Sequence, residues 1–165
     1  MTEIEIRFES TDDIRAISAV TTAAFGQELE AQLIDALRAG GESVISMVAL
    51  DQGILVGHVQ FSKLIAPARC VGLGPVSVTP QRQGQGIGAA LIRRGLEQAV
   101  RDGWQAVFVL GSPAYYGRFG FRVEAAAKFA TPYPKEHFMA LDLHPGALAS
   151  RDGAVIYAKP FLVFE

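Results

Sequence analysis

Gln83-Gly84-Gln85-Gly86-Ile87-Gly88 joins a predicted strand to a predicted helix. The β-branched run Val76-Ser77-Val78 precedes this loop and Thr79-Pro80 ends the strand, whereas Ala89-Ala90-Leu91-Ile92 opens the helix. Glycine lets the backbone approach a ligand closely, and the first turn of a helix carries unpaired N–H donors at the positive end of its dipole. This order of elements therefore predicts a pocket for a phosphate or pyrophosphate, and hence an anionic, nucleotide-like cofactor.

The segments on either side predict a parallel crossover. The helix is expected over residues 87–102, and the short apolar run from Ala106 to Leu110 is typical of a buried strand. Two parallel strands joined by a helix form a right-handed crossover, with the glycine loop at its mouth. The preceding strand, residues 70–78, contains Gly74-Pro75. Because proline cannot donate to a strand ladder, we expect this strand to bulge or to lie open there.

The remainder predicts a mixed sheet with flanking helices. Alternating residues 3–8 indicate a strand, residues up to about 40 indicate two helices, and residues 44–64 indicate a β-hairpin. After residue 110 we expect a short helix at Pro113, a strand over 138–143 and β segments within 155–164, separated by loops at 124–137 and 144–153. We therefore predict a single α/β (α+β) domain over residues 1–165, with a mostly antiparallel sheet.

Composition excludes several classes of protein. Half of the 165 residues are apolar, enough for a packed core, and a net charge of −2 argues against a nucleic-acid-binding face. No apolar run approaches the roughly 20 residues that a membrane span needs. Cys70 is the only cysteine, which excludes an intrachain disulfide and suits the cytoplasm, and the three histidines lack the spacing of metal ligands. We expect no metal, no nucleic acid and no membrane partner.

Two motifs resemble the GNAT superfamily of N-acetyltransferases, which use acetyl-CoA. The superfamily pattern of Arg or Gln, two residues, Gly, one residue, and Gly or Ala is matched by Gln83, Gly86 and Gly88. A tyrosine four residues before a Gly-Phe pair is supplied by Tyr116 and Gly120-Phe121. The amino-acid sequence of residues 73–78 and 113–121 most resembles that of the YhbS-type branch. Each motif alone is weak, but the two in this order and separation are specific.

The resemblance implies a cofactor site between two splayed parallel strands, the fourth and fifth of the sheet. The glycine loop would hold the pyrophosphate of coenzyme A, and the pantetheine arm would enter a gap between residues 76–78 and 107–110. The cofactor-binding residues implied are Val76, Ser77, Val78, Gln83, Gly84, Gln85, Gly86, Ile87, Gly88 and Ala89.

The expected reaction is direct attack of an amine on the thioester. A main-chain N–H near Val76 or Ser77 would stabilise the developing oxyanion. Tyr116 matches the family position of the general acid that returns a proton to the leaving thiolate; the structural alternative is a tyrosine that only packs a short helix. The sequence does not identify the general base.

Three side chains and water are candidates for that base. Glu28 and Glu30 could equally form a solvated helix face, and His58 could equally be a histidine satisfied within the sheet. The acceptor is expected to be a primary amine of a small molecule or peptide, and a homodimer is possible. Four aromatic residues hint at a partly apolar acceptor pocket, although all could be core: Phe25, Phe129, Tyr133 and Phe138.

The sequence has two alternative interpretations. Gly84-x-Gly86-x-x-Ala89 nominally fits the dinucleotide-binding fingerprint, but the next strand is followed by Gly111-Ser112-Pro113 where that fold expects an acidic residue. The second reading is a non-catalytic acyl-CoA-binding sensor or interaction module. The presence of Tyr116 favours the enzyme over the sensor.

Overall fold

A six-stranded mixed sheet forms the centre of the computed structural model, which describes residues 3–164. The domain predicted over 1–165 also includes Met1, Thr2 and Glu165, which lie outside the described residues. In chain order the elements are β1 (Ile4–Phe8), α1 (Ile14–Phe25), α2 (Leu29–Gly40), β2 (Ser43–Asp51), β3 (Ile54–Lys63), β4 (Cys70–Val78), α3 (Ile87–Arg101), β5 (Ala106–Leu110), α4 (Pro113–Tyr116), α5 (Val123–Ala126), β6 (Phe129–Ala130), β7 (Phe138–Asp142), β8 (Gly153–Ala154) and α6 (Lys159–Phe164). Over residues 3–164, no helix combines the length and apolar character needed to cross a bilayer.

The strand order is β1-β2-β3-β4-β5-β7, and every neighbouring pair is antiparallel except β4 and β5, which are parallel. Side chains alternate across β2 and bury two separate layers. Met47 and its neighbours on one face pack with Leu91 of α3, whereas Val48 on the other face packs with Ile17 of α1 and Ile34 of α2. Helix α3 therefore covers one face of the sheet, and α1 and α2 cover the other.

The ladder between β4 and β5 is short. Cys70, Val71 and Gly72 pair with residues 106–108, and β4 then carries one extra residue near Gly74, where its register against β3 shifts. An extra residue bends a strand and breaks its pairing. The predicted opening of this strand is confirmed, but the gap is shorter than predicted on the β5 side. Residues 107 and 108 are paired with β4, so the gap begins at Val109.

The chain after β7 differs from its prediction. The β prediction for residues 155–164 is wrong for most of the stretch: Ile156 forms an isolated antiparallel bridge with Ala66, but Lys159–Phe164 forms helix α6. Proline is tolerated in the first turn of a helix, and Phe161 packs with Leu33 and Leu37 of α2, so tertiary packing overrides the strand preference of this apolar run. The segment 124–137, predicted as a loop, contains most of α5 and all of β6, and β6 pairs with β8.

Candidate functional site

The glycine loop folds as a left-handed turn into the start of α3. Gly84 and Gly86 have φ values of +76° and +85°, a region that side chains disfavour. Gly86 is the N-cap, and its carbonyl accepts the first helical hydrogen bond, from Ala90 N at 3.0 Å. The N–H groups of residues 87–89 precede that bond and have no partner within the helix. The loop therefore presents several main-chain donors, at the positive end of a helix of 15 residues, to whatever lies against it.

A cleft of about 310 Å³ lies against this loop, here called the loop cleft. It is lined by Val78, Arg82, Gln83, Gly84, Gly86, Ile87, Gly88, Ala89, Tyr115 and Arg118. A Cβ atom added at Gly88 would lie 3.5 Å from the Tyr115 hydroxyl and 3.7 Å from Val78 Cγ2. Glycine at this position thus keeps the space between strand β4 and Tyr115 open.

The side chains of three predicted cofactor residues form hydrogen bonds with other residues of the chain. Gln83 Nε2 donates to the Val78 carbonyl at 3.0 Å, and Gln85 Oε1 accepts from Arg82 Nε at 2.9 Å. Ser77 is buried, and its Oγ donates to a hydroxyl of α1 at 3.2 Å. These contacts stabilise the loop and the end of β4, and they engage the amide nitrogen of Gln83, the amide oxygen of Gln85 and the hydroxyl of Ser77.

The main chain of Val76 faces the gap between β4 and β5. Thr79 N donates to Val56 O on β3 at 2.9 Å, and successive residues of an antiparallel strand turn their N–H and C=O groups to opposite sides. Ser77 therefore turns toward β3, whereas Val76 and Val78 turn toward the gap. The Val78 carbonyl already accepts a hydrogen bond from the Gln83 side chain. Val76 is therefore the residue whose N–H and C=O groups both remain available at this point of the gap.

A second cavity of about 410 Å³, here called the far cavity, opens on the face covered by α1 and α2. Val76 lines it, and Val78, two residues along the same strand, lines the loop cleft, so the gap between β4 and β5 lies between the two spaces. The far cavity is lined by Phe25, Glu30, Leu33, Leu73, Gly74, Pro75, Val76, Leu110, Tyr116, Tyr133, Tyr157 and Phe161.

Of the four aromatic residues singled out in the sequence, two reach the far cavity and two do not. Phe25 and Tyr133 line it. Phe129 and Phe138 are buried against Phe108, with ring centroids 5.3 and 5.7 Å from its own, and belong to the core.

Tyr116 lies at the gap with its ring held on three sides. A Cβ atom on Gly111 would stand 2.5 Å from Tyr116 Cε2, so the ring occupies space that only glycine leaves free. The rings of Tyr115 and Phe121 meet it edge to face at 5.1 and 5.9 Å. Burial, with a smaller contribution from Tyr115, raises the pKa of Tyr116 to about 12. Its hydroxyl therefore keeps its proton throughout the neutral and mildly alkaline range.

The three candidate bases lie in different surroundings. Glu30 is half-buried and lines the far cavity, and both of its carboxylate oxygens are 3.1 Å from Gln27 Nε2, which donates to them. Glu28 is exposed at the start of α2 and lines neither cavity. His58 is fully buried and also lines neither; its Nε2 is 2.7 Å from Ser46 Oγ. Burial lowers the pKa of His58 to about 4, so it is neutral at pH 7.

His58 belongs to a buried polar network that the sequence does not reveal. Ser46 donates to Glu9, whose carboxylate also accepts two hydrogen bonds from Arg38, at 2.8 and 2.9 Å. Burial alone would raise the pKa of Glu9, but the hydrogen bonds from Arg38 and Ser46 bring it below its ordinary value. This network ties α2 to β2 and β3, and its geometry explains His58 as a structural residue of the sheet.

Sequence reasoning missed three residues of the loop cleft: Tyr115, Arg82 and Arg118. Arg82 Nη1 is 2.5 Å from Asp51 Oδ2 and is thereby neutralised, whereas the Arg118 guanidinium lies 5.0 Å from the centre of the Tyr115 ring. The carboxyl ends of parallel strands share one edge of a sheet, which could have placed residues 115 and 118 beside the loop. A cleft with main-chain donors and the guanidinium of Arg118 suits an anion. Within residues 3–164 no group of three His, Cys, Asp or Glu side chains is arranged for a metal ion.

Comparison with known proteins gives one consistent result. A family model described as an acetyltransferase (GNAT) domain matches residues 5–123. The chain is 33% identical to the uncharacterized N-acetyltransferase YhbS of Escherichia coli K12, over 94% of this chain and 97% of that protein, and 37% identical to the uncharacterized N-acetyltransferase YjhQ of the same strain, over 83% and 82%.

Solved structures agree with the sequence comparison. The crystal structure of E. coli YhbS in complex with CoA has a TM-score of 0.93 at 32% identity and covers 100% of this chain and 95% of that one. A GNAT family acetyltransferase from Brucella melitensis in complex with acetyl-CoA has a TM-score of 0.83 at 37% identity, covering 98% and 99%.

Proposed function

Because this chain belongs to the GNAT family of acetyltransferases, we propose that it transfers the acetyl group of acetyl-CoA to a primary amine of a small molecule or peptide. One observation carries the proposal: the gap between β4 and β5 lies between a cleft lined by main-chain donors and a second cavity with mostly apolar walls. Two similar structures are complexes with CoA and acetyl-CoA, which supports the assignment of the loop cleft to the coenzyme.

In this proposal the protein binds the coenzyme mainly through its backbone. The N–H groups at the start of α3 hold the pyrophosphate, with Arg118 as a further cation at the rim of the loop cleft. The main chain of Val76 and the N–H of Val78 line the gap as an unpaired strand edge, which suits the amides of the pantetheine arm. Gly88 leaves the room for that arm between β4 and Tyr115.

Acetyl-CoA supplies a thioester, and the amine nitrogen forms a new bond to its carbonyl carbon as the carbon–sulfur bond breaks. Val76 N–H faces the gap and donates to the oxygen on which negative charge develops. Tyr116 donates its phenolic proton to the departing sulfur. A phenol with a pKa of about 12 gives up a proton readily only to a thiolate that is itself desolvated, and the gap provides that desolvation.

The amine must lose a proton before or during attack. Glu30 is the carboxylate that lines the far cavity and is our candidate for the group that takes this proton, directly or through water. Glu28 and His58 are set aside, because one is exposed outside both cavities and the other is buried within the sheet.

The proposal is tested by release of free thiol from acetyl-CoA in the presence of polyamines, amino acids, aminoglycosides, simple amines and peptides. Amine-dependent thiol release with formation of the acetylated product is expected. A non-catalytic acyl-CoA-binding module makes the opposite prediction: calorimetric titration would detect acetyl-CoA binding, yet no amine would release thiol.

A further inference from the structure

We propose that the acceptor is a small amine with a single positive charge on an apolar or aromatic body, and that its ammonium group sits against Glu30. The proposal rests on the proposed function, because it takes the far cavity as the acceptor site of the same transfer reaction. It goes further in naming the chemical class of the acceptor, which excludes amino acids, polyamines and aminoglycosides.

The walls of the far cavity are mostly hydrocarbon. Six segments contribute aliphatic or aromatic side chains: the end of α1, helix α2, the bulged part of β4, the end of β5, helix α4, and the chain from β6 to α6. Tyr157 stacks edge to face on Tyr133 at 5.5 Å and on Phe161 at 4.9 Å, which builds one aromatic wall. Aromatic and aliphatic walls favour a ligand with an apolar body, because such a body leaves water when it binds.

The charged side chains of the far cavity also indicate which acceptor it can bind. Among residues 3–164, Glu30 is the one acidic side chain that lines it, and no lysine, arginine or histidine does. Gln27 donates to the Glu30 carboxylate and orients it. One carboxylate matches one ammonium group. An amino acid would bring a carboxylate with no cation to meet it, and a polyamine or aminoglycoside would bring further ammonium groups with no acid to meet them.

The position of Glu30 also suits the reaction. Glu30 comes from α2, whereas Val76 and Tyr116 border the gap through which the thioester would arrive, and all three line the same cavity. An amine held by Glu30 is therefore in the same cavity as the groups that act on the thioester. The apolar walls lower the local dielectric relative to bulk water, which strengthens the attraction between ammonium and carboxylate.

Two matched pairs of amines test the proposal at saturating acetyl-CoA. Tyramine and tyrosine differ only in the carboxylate, and we expect kcat/KM for tyramine to be higher by about 100-fold or more, because the extra charge has no partner in the site. Hexylamine and 1,6-diaminohexane differ by a terminal amine, and we expect the monoamine to be preferred by about 10-fold or more for the same reason.

The role of Glu30 is tested by Glu30→Gln, with Glu28→Gln as the matched control on the same helix. We expect Glu30→Gln to raise KM for tyramine by about 10-fold or more, since a charge-assisted contact is lost, and to leave the Kd for acetyl-CoA unchanged. Glu28→Gln should keep the wild-type KM for tyramine. An unchanged Kd for acetyl-CoA also reports that the variant is folded.

Three outcomes overturn the inference. Tyrosine, spermidine or an aminoglycoside as the best acceptor would show that the charge argument is wrong while transfer itself stands. A rate with tyramine that climbs steadily from acetyl-CoA to hexanoyl-CoA would assign the apolar walls to the acyl chain. Binding of acetyl-CoA without thiol release by any amine in the panel would overturn the proposed function together with this inference.

Discussion

The rings of Tyr115 and Tyr116 meet edge to face at 5.1 Å, yet they line different cavities. Tyr115 lies in the loop cleft, near Gly88 in the first turn of α3, and Tyr116 lies in the far cavity, which Val76 also lines. Two adjacent residues thus stand on either side of the gap. Because the two hydroxyls border different cavities, the roles that we propose for Tyr116 and for the loop cleft can be tested separately.

Tyr116→Phe is expected to lower kcat by about 100-fold or more, the range for loss of a general acid, with little change in the Kd for acetyl-CoA. Tyr115→Phe should instead act on KM for acetyl-CoA, because its hydroxyl faces the loop cleft. Steady-state kinetics with thiol detection and calorimetric titration separate the two effects. Equal kcat for wild type and Tyr116→Phe would remove Tyr116 from the mechanism.

Gly111→Ala is expected to lower kcat through displacement of the Tyr116 ring. The new Cβ would stand 2.5 Å from Cε2, so the ring must move, and a misplaced acid costs about 10-fold in rate or more. Gly117→Ala is the control, since a Cβ there meets open space on the same turn. In a Tyr116→Phe background, Gly111→Ala should lower kcat by much less than it does in the wild type.

Gly88→Leu is expected to weaken acetyl-CoA binding by about 30-fold or more, because the leucine side chain extends into the part of the loop cleft that we assign to the coenzyme. Gly88→Ala places its Cβ at ordinary van der Waals distances and should change Kd only by a few-fold. Thermal unfolding of both variants should stay close to that of the wild type. Wild-type affinity in Gly88→Leu would place the coenzyme away from this loop.

The lowered pKa of His58 predicts that the free energy of unfolding depends on pH. Its pKa is about 4 in the folded protein and about 6.5 when unfolded, so below pH 6.5 the unfolded chain takes up a proton that the folded protein does not. The free energy of unfolding should therefore fall by about 2 kcal/mol from pH 7 to pH 5. Urea titrations measure this slope. His58→Gln should abolish it, and His137→Gln, at an exposed histidine, should retain it.

Local patterns predicted the glycine loop and the elements beside it well, because the determinants of these elements are adjacent in the chain. The glycine loop, the start of α3 and the break at Gly74-Pro75 each follow from the conformational limits of the residues themselves. The far cavity could not be predicted in the same way. Glu30, Tyr157 and Phe161 come together only through the packing of α2 and α6, and the residues of α6 favour a strand when they are considered alone.

The role of His58 also depends on contacts between residues that are distant in the sequence. A histidine within an alternating strand can equally be a catalytic base or a core residue, and its partners decide which. Those partners, Ser46 on the neighbouring strand and Glu9 after β1, are far apart in sequence and become visible only in the folded structure.

A strand edge inside a sheet is also a liability. The main-chain groups of Val76 that turn toward the gap can pair with an extended segment of another molecule, as exposed edges do in aggregating proteins. A pantetheine arm lying in the gap would shield them. Protein freed of coenzyme should therefore self-associate on warming sooner than protein kept with CoA, and dynamic light scattering would follow the difference. If the gap receives the coenzyme as proposed, the solubility of the protein depends on ligand supply.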